Sequence, residues 1–219
     1  MIWDWGYALD ILPTLLVAFL QYTLVATVLG TIVAALLGLV FAVVRQAGVP
    51  VLTQALTVFI EVVRSTPVPL QLFILFYVLP EFGPTLAPMT AGVIGLGVHY
   101  ACYYADVYRA GIDAVPRAQW EAATALNLSP RYTWTDVVLP QAIRKVLPSL
   151  GNYAVSMFKE TPFLYLITVP ELLYTAQTVI GGSTLRYLEP LTLAGLIFLA
   201  ASYPTALALR RLERRLETV

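Results

Sequence analysis

Two pairs of charged residues interrupt segments of the chain that are otherwise apolar. Glu61 and Arg64 are three residues apart, and Lys159 and Glu160 are adjacent. Inside a membrane, such charges are costly and usually face a cavity, a partner charge or a transport pathway. They predict a site where Arg64 or Lys159 binds a carboxylate and Glu61 or Glu160 binds a cationic group. The alternative is that each pair is an internal ion pair that only stabilises the structure.

Prolines follow both charged pairs. Pro67 and Pro69 come after the first pair, and Pro162 after the second. Proline removes a backbone donor and disfavours helical angles at the preceding residue, so carbonyl groups are freed beside the charges. Two such segments can frame a polar cavity, with side chains of the third apolar segment joining them. The predicted pathway consists of Glu61, Arg64, Thr66, Tyr103, Asp106, Lys159, Glu160 and Thr161.

The composition identifies the kind of molecule that carries these charges. Hydrophobic residues make up 59% of the 219 residues and charged residues 12%, whereas about a quarter of a soluble domain is charged. The net charge of zero gives no indication of nucleic-acid binding. One cysteine, Cys102, and one histidine, His99, offer neither a disulfide, a metal site nor a nucleophile with a partner base. The sequence predicts a membrane protein that is not an enzyme.

Five apolar segments predict membrane spans. The first, residues 11–44, has no charge and exceeds the length needed for a hydrocarbon core of about 30 Å, so we expect one long, tilted helix. The others are residues 51–79, 89–105, 146–168 and 190–209, the second and fourth interrupted as described above. The predicted fold is an all-α integral membrane protein with one domain over residues 1–219.

The basic residues predict the orientation of these spans, because lysine and arginine favour the cytoplasmic side. With the N-terminus outside and the C-terminus inside, 10 of the 13 lysines and arginines lie on the inner side. The loop at about residues 109–145 is then cytoplasmic.

Within this loop, the sequence predicts a helix–turn–helix knob. The alanine-rich segment from Glu121 favours a helix, and Asn127 tolerates the left-handed conformation that closes one. Ser129 and Pro130 form an N-cap and a first-turn proline, so a second helix starts there. We expect that helix to stop before Pro140.

The knob also carries a family motif. Its order of residues resembles the EAA loop of ABC importer membrane subunits, at Glu121, Ala122, Ala123, Asn127, Val137, Leu139 and Pro140. Asn127 replaces the family's glycine, and Val137 its usual isoleucine. The stretches EVVRSTPVPLQLF, YRAGIDAVPRAQWEAA and LPSLGNYAVSMFKETP are similar to the polar amino-acid uptake subfamily, so the chain is identified as a member of that group. The resemblance implies a five-helix, type I, MetI-like permease of a bacterial cytoplasmic membrane.

The resemblance also implies partners and a solute. In the family, the EAA loop fits a groove on a separate ATPase subunit, which binds ATP and Mg²⁺. This agrees with the sequence, whose only lysines, Lys145 and Lys159, do not follow the glycines of a phosphate-binding loop. The other implied partners are a second permease, an external solute-binding protein and membrane lipid.

The solute expected from the resemblance is ectoine or hydroxyectoine, on the segments ALNLSP, KETP and RYLEPLTL. An ordinary polar amino acid, such as glutamine, glutamate or a basic amino acid, is the alternative. A secondary carrier or channel that works alone is the alternative from a different class.

Overall fold

The computed structural model describes residues 3–217, and all regular elements among them are helical. Eight helices follow in chain order: α1 (Trp5–Gln46), α2 (Pro50–Ser65), α3 (Val68–Phe82), α4 (Pro88–Asp113), α5 (Arg117–Ala125), α6 (Pro130–Ile167), α7 (Leu172–Thr184) and α8 (Leu188–Glu217). Several contain irregular turns. The turns are π-helical at Phe19–Thr23, Ile74–Val78, Thr133–Val138 and Thr175–Gly181, and 3₁₀-helical at Leu79–Phe82 and Thr161–Ile167.

Each of the five predicted spans corresponds to a helix or to a bent pair of helices. By length and hydropathy, α1 and α8 can each cross a membrane, and the pairs α2–α3 and α6–α7 can do so if each pair is one span. These pairs bend by 108° and 53°. The third predicted span lies in α4, which has 26 residues and is too polar to qualify by hydropathy alone. Many of its side chains are buried in the bundle, so α4 is shielded from lipid and can be more polar than the others.

A stripe of small residues on α1 packs against α4. Ala26, Gly30, Ala34, Gly38 and Ala42 recur every four residues and are all buried. They face α4, with which α1 has the most extensive contact among the described helices. Small residues let two backbones approach closely, which favours helix association in a membrane.

Two tyrosines then fix α4 to its neighbours. The Tyr104 hydroxyl donates to the Leu150 carbonyl of α6 at 2.9 Å. The Tyr108 hydroxyl donates to the Ala35 carbonyl of α1 at 3.3 Å. Hydroxyls in such apolar surroundings need partners, and these bonds satisfy both while joining three helices.

Charged residues join the first and last spans at the end of the bundle predicted to lie outside. Asp4 caps α1 by accepting a hydrogen bond from the Tyr7 N–H at 3.1 Å. Arg186 donates to Asp4 at 3.2 Å and to the buried Glu189 of α8 at 3.5 Å. The Tyr7 N–H, and after it Arg186, lower the pKa of the Asp4 carboxyl below its ordinary value.

We expect Gly38→Ala to destabilise the bundle, because a Cβ at this position would lie 2.6 Å from the Tyr104 Cβ and 3.0 Å from the Ala101 carbonyl oxygen. Separating α1 from α4 to relieve this overlap should lower the free energy of unfolding by about 1–3 kcal/mol. Thermal unfolding of the purified protein in detergent measures the effect. Gly195→Ala is the matched control, since no atom lies within 4 Å of its added Cβ. Equal melting temperatures for the two variants would contradict this account of the α1–α4 contact.

Candidate functional site

The knob begins with α5, and Asn127 closes this helix as the sequence predicts. Asn127 has a left-handed backbone with φ of 53°. Its N–H donates to the Thr124 carbonyl at 2.9 Å, and the Leu128 N–H donates to the Ala123 carbonyl at 3.0 Å. These two bonds form the Schellman motif, which is usually closed by glycine. Asparagine at the family's glycine position therefore preserves the turn.

The second helix of the knob begins at Ser129 and Pro130, also as predicted. The Ser129 hydroxyl accepts a hydrogen bond from the Tyr132 N–H at 3.5 Å, and Pro130 occupies the first helical turn. Trp120 of α5 and Trp134 of α6 meet edge to face, with ring centroids 5.3 Å apart. The indole contact sets the two helices against each other, so the knob is an ordered unit.

The prediction that this helix stops before Pro140 is wrong. Helix α6 continues through Pro140 to Ile167. A proline ring clashes with the carbonyl four residues before it in an ideal α-helix. Here the π-helical turn at Thr133–Val138 precedes the proline, and the Leu139 N–H donates to the Trp134 carbonyl, five residues back. The wider turn accommodates the proline without ending the helix.

Of the six predicted ATPase-coupling residues, five are exposed and one is buried. The Ala123 side chain is buried beneath the knob. The others are exposed, and they are Glu121, Ala122, Asn127, Leu139 and Pro140. The knob thus presents a carboxylate and small apolar groups on its surface, and the coupling role of these residues stays a prediction.

Asp106 is the centre of the charged cluster near the knob end of the bundle. It accepts from Arg45 of α1 at 2.7 Å and from Arg64 of α2 at 2.5 Å. The Arg64 guanidinium also lies over the Tyr103 ring, 4.8 Å from its centroid. The predicted alternative of a Glu61–Arg64 ion pair is wrong, because Arg64 turns to Asp106 on α4 and Glu61 is exposed.

The break between α2 and α3 is closed by polar side chains. Gln71 donates its amide to the Val63 carbonyl at 2.6 Å and to the Thr66 carbonyl at 3.0 Å. It also donates to the Thr66 hydroxyl at 2.8 Å. His99 of α4 contacts the Gln71 amide oxygen at 3.3 Å. The carbonyls freed by the prolines are therefore partly satisfied, which lets the chain bend sharply within the bundle.

A group of tyrosines lies between Arg64 and Glu160. Tyr100 and Tyr103 of α4 have ring centroids 6.0 Å apart, and Tyr153 of α6 lies 5.2 Å from Tyr103. The Tyr100 phenol is beside the Glu160 carboxylate. The Glu160 Oε2 atom is buried and has no hydrogen-bond partner among the described residues. The guanidinium of Arg64 and the carboxyl group of Glu160 thus lie on opposite sides of an aromatic surface.

The remaining predicted pathway residues are placed differently. Lys159 is exposed and does not pair with Glu160, so the predicted alternative of an ion pair between them is wrong. Adjacent residues of a helix point about 100° apart, which separates the two side chains. Thr161 is fully buried, and its hydroxyl donates to the Phe158 carbonyl at 2.7 Å. The two interrupted segments do meet, since the Tyr77 hydroxyl of α3 donates to the Leu166 carbonyl at 3.1 Å.

Three residues of the site were missed by reasoning from the sequence. Arg45 is one of the ten basic residues predicted on the inner side, and its partner Asp106 is 61 residues away, too far along the chain for spacing to indicate the pair. Gln71 and Tyr153 carry no charge, and the sequence does not distinguish Tyr153 from a packing residue. The one available signal was the polarity of Gln71 four residues after Pro67, where freed carbonyls need a donor.

Comparison with known proteins decides the family. The family of binding-protein-dependent transport system inner membrane components matches residues 34–218. The chain belongs to this family. It is 42% identical to the probable amino-acid ABC transporter permease protein y4tG of Sinorhizobium fredii, over 90% of this chain and 87% of that protein. It is 35% identical to the probable glutamine ABC transporter permease protein GlnP of Bacillus subtilis, over 78% and 79%.

A solved structure agrees with this assignment. The crystal structure of an amino acid ABC transporter with histidines matches with a TM-score of 0.90 and 31% identity, over 98% of this chain and 100% of that one. The predicted fold of a type I ABC importer permease is therefore confirmed. Members of the family are multi-pass membrane subunits of transporters and not enzymes.

The cluster around Asp106 gives a testable expectation. Asp106→Asn removes the negative charge shared by Arg45 and Arg64, so two guanidinium groups face each other without compensation. We expect a loss of about 1–3 kcal/mol in the free energy of unfolding. Thermal unfolding in detergent measures it. The control is Asp113→Asn. Asp113 pairs with Arg109 at 3.5 Å on an exposed helix face, so its loss should lower the free energy of unfolding by no more than about 0.5 kcal/mol. If both variants melt alike, the cluster does not hold these helices together.

Proposed function

We propose that this chain is the permease subunit of an ATP-driven importer for an ordinary polar amino acid, with glutamine as the first solute to test. The named relatives support an amino acid, since one is a probable amino-acid permease and another a probable glutamine permease. The ectoine prediction finds no such support among them. An ordinary amino acid therefore replaces ectoine as the preferred solute.

The Glu160 carboxylate carries the proposal for the solute site. Its unpartnered Oε2 atom is available to an ammonium group, and the adjacent tyrosine rings favour a cation at the same place. Arg64 uses one nitrogen to bind Asp106, and the other donors of the guanidinium remain for an oxygen of the solute side chain. The α-ammonium group of an amino acid is assigned to Glu160, and the polar end of its side chain to Arg64, because tyrosine rings separate the two residues.

The knob carries the proposal for energy coupling. Its two helices are fixed by the Asn127 turn and the Trp120–Trp134 contact, and Glu121 is exposed on its surface. An ordered polar projection from a membrane bundle is suited to docking on another protein. We assign it to a separate ATPase subunit, which binds ATP and Mg²⁺ and closes when they are bound.

A second permease copy is proposed to cover the exposed charges within the spans. Glu61 on α2 and Lys159 on α6 lie within predicted spans and are exposed in the single chain. Since a charge facing lipid is expensive, a second permease or a water-filled path between two copies must cover them. An external solute-binding protein delivers the amino acid at the opposite end, and the assembly belongs in a bacterial cytoplasmic membrane.

Glu121→Lys tests the coupling assignment. Reversing this exposed charge should reduce recovery of the co-purified ATPase subunit severalfold and abolish ATP-dependent glutamine uptake, while the permease still folds. Gln119→Lys is the control. Gln119 lies on the same helix as Glu121, but its side chain is turned toward Gln141 of α6. Wild-type uptake by Glu121→Lys would exclude the knob as the docking site.

Glu160→Gln tests the solute site. Loss of a charge-assisted hydrogen bond should raise the glutamine concentration needed for half-maximal uptake by about tenfold or more. The control is Glu81→Gln, an exposed carboxylate at the end of α3. Recovery of the ATPase subunit should be unchanged in both variants. Normal uptake by Glu160→Gln would assign this carboxylate a structural role only.

A further inference from the structure

An apolar cavity opens between α1, α6 and α8, away from the solute site. Its volume is about 280 Å³, and its lining is almost entirely apolar. The lining includes Leu24 of α1, Val155 and Phe158 of α6, and Ser202 and Leu209 of α8. No charged residue lines it.

The cavity lies along the contact between α6 and α8, where one face of each helix meets the other. On α6, Arg144, Pro148, Gly151, Val155 and Phe158 follow spacings of four, three, four and three residues, so they share one face. At Gly151 the helices approach closely, because a Cβ there would lie 2.4 Å from the Leu209 side chain. We call this contact line the α6–α8 seam.

The facing stripe on α8 consists of Ser202, Thr205, Leu209, Glu213 and Leu216, at similar spacings. Both stripes are apolar or weakly polar at the level of the cavity and charged toward the knob end. The seam therefore has one membrane-like end and one aqueous end.

A second, polar cavity of about 120 Å³ occupies the charged end of the seam. Arg144, Lys145 and Ser149 of α6 line it with Glu213 of α8. The Lys145 ammonium donates to the Ala114 carbonyl and keeps two further N–H groups. Arg144 is exposed and makes no ion pair among the described residues. Two cations and a hydroxyl against one carboxylate leave this cavity net positive.

The two cavities are separated by the distance that a phospholipid requires. Residues 151–158 of α6 lie about 10–21 Å along the helix axis from Arg144. One leaflet of the hydrocarbon core is about 15 Å deep. A phosphate at Arg144 therefore places an acyl chain at the level of the apolar cavity.

We propose that the α6–α8 seam binds one anionic phospholipid, with its phosphate at Arg144 and Lys145 and an acyl chain in the apolar cavity. Charge complementarity favours an anionic headgroup, since basic pockets between helices on the cytoplasmic side attract such lipids. A second permease copy is the weaker occupant, because the exposed charges that require a protein partner, Glu61 and Lys159, do not line either cavity. The proposal depends on the membrane fold and not on the identity of the solute.

Lipid retention and thermal unfolding of the purified full-length chain in detergent test this site. Added phosphatidylglycerol should raise the melting temperature more than phosphatidylcholine, and native mass spectrometry should detect phosphatidylglycerol retained on the protein. Arg144→Gln should weaken phosphatidylglycerol binding about fivefold. Glu213→Gln should bind at least as tightly as the wild type, because it removes a repelling carboxylate.

Two variants separate the seam from general lipid effects. Arg109→Gln removes a cation that lines neither cavity, and it should leave the preference for phosphatidylglycerol unchanged. Ser202→Leu fills the apolar cavity and should reduce retention of the lipid while the helix still forms. Equal stabilisation by both lipids, or equal effects of Arg144→Gln and Arg109→Gln, would overturn the proposal. So would efficient cross-linking of Ser202→Cys between two copies of the chain in a Cys102→Ser background, because a protein would then cover the seam.

Discussion

The close approach of α1 and α4 is the constraint on which the rest of the bundle depends. Lipid tails are as apolar as the side chains, so helices in a membrane associate through tight packing and polar contacts and not through exclusion of water. The small residues from Ala26 to Ala42 permit this packing, and α4 is fixed as the central helix. The candidate site residues on α4, including Tyr103 and Asp106, take their position from that contact.

The broken spans follow from the same constraint. A helix that bends by 108° inside a membrane exposes carbonyls and amides that water cannot satisfy. Gln71 and Thr66 bind the exposed groups of α2, and His99 on the fixed α4 holds Gln71 in turn. Side-chain hydrogen bonds thus stabilise the break, and Arg64, just before it, binds Asp106 of α4. Polar residues beside the prolines have a structural function as well as any function in transport.

Local features of this chain could be predicted from the sequence, and contacts between distant helices could not. The turn at Asn127 and the cap at Ser129 depend on neighbouring residues alone, and both were predicted correctly. The spacing of Glu61 and Arg64 on one helix left an ion pair between them as an alternative, but Arg64 instead binds Asp106 on another helix. Pro140 was read as a stop because a π-helical turn that absorbs a proline has no signature in residue types.

The continuity of α6 through Pro140 has a mechanical consequence. A helix that ended there would leave a flexible joint between the knob and the proposed solute site. Instead, the helical segment that begins at Pro130 in the knob continues past Glu160, over a distance of about 45 Å along its axis. Two irregularities lie before Glu160, the wider turn at Thr133–Val138 and the interior proline Pro148, and the helix continues through both. A displacement of the knob by a docked protein must therefore move the Glu160 end of α6 as well, relative to the tyrosines on the fixed α4.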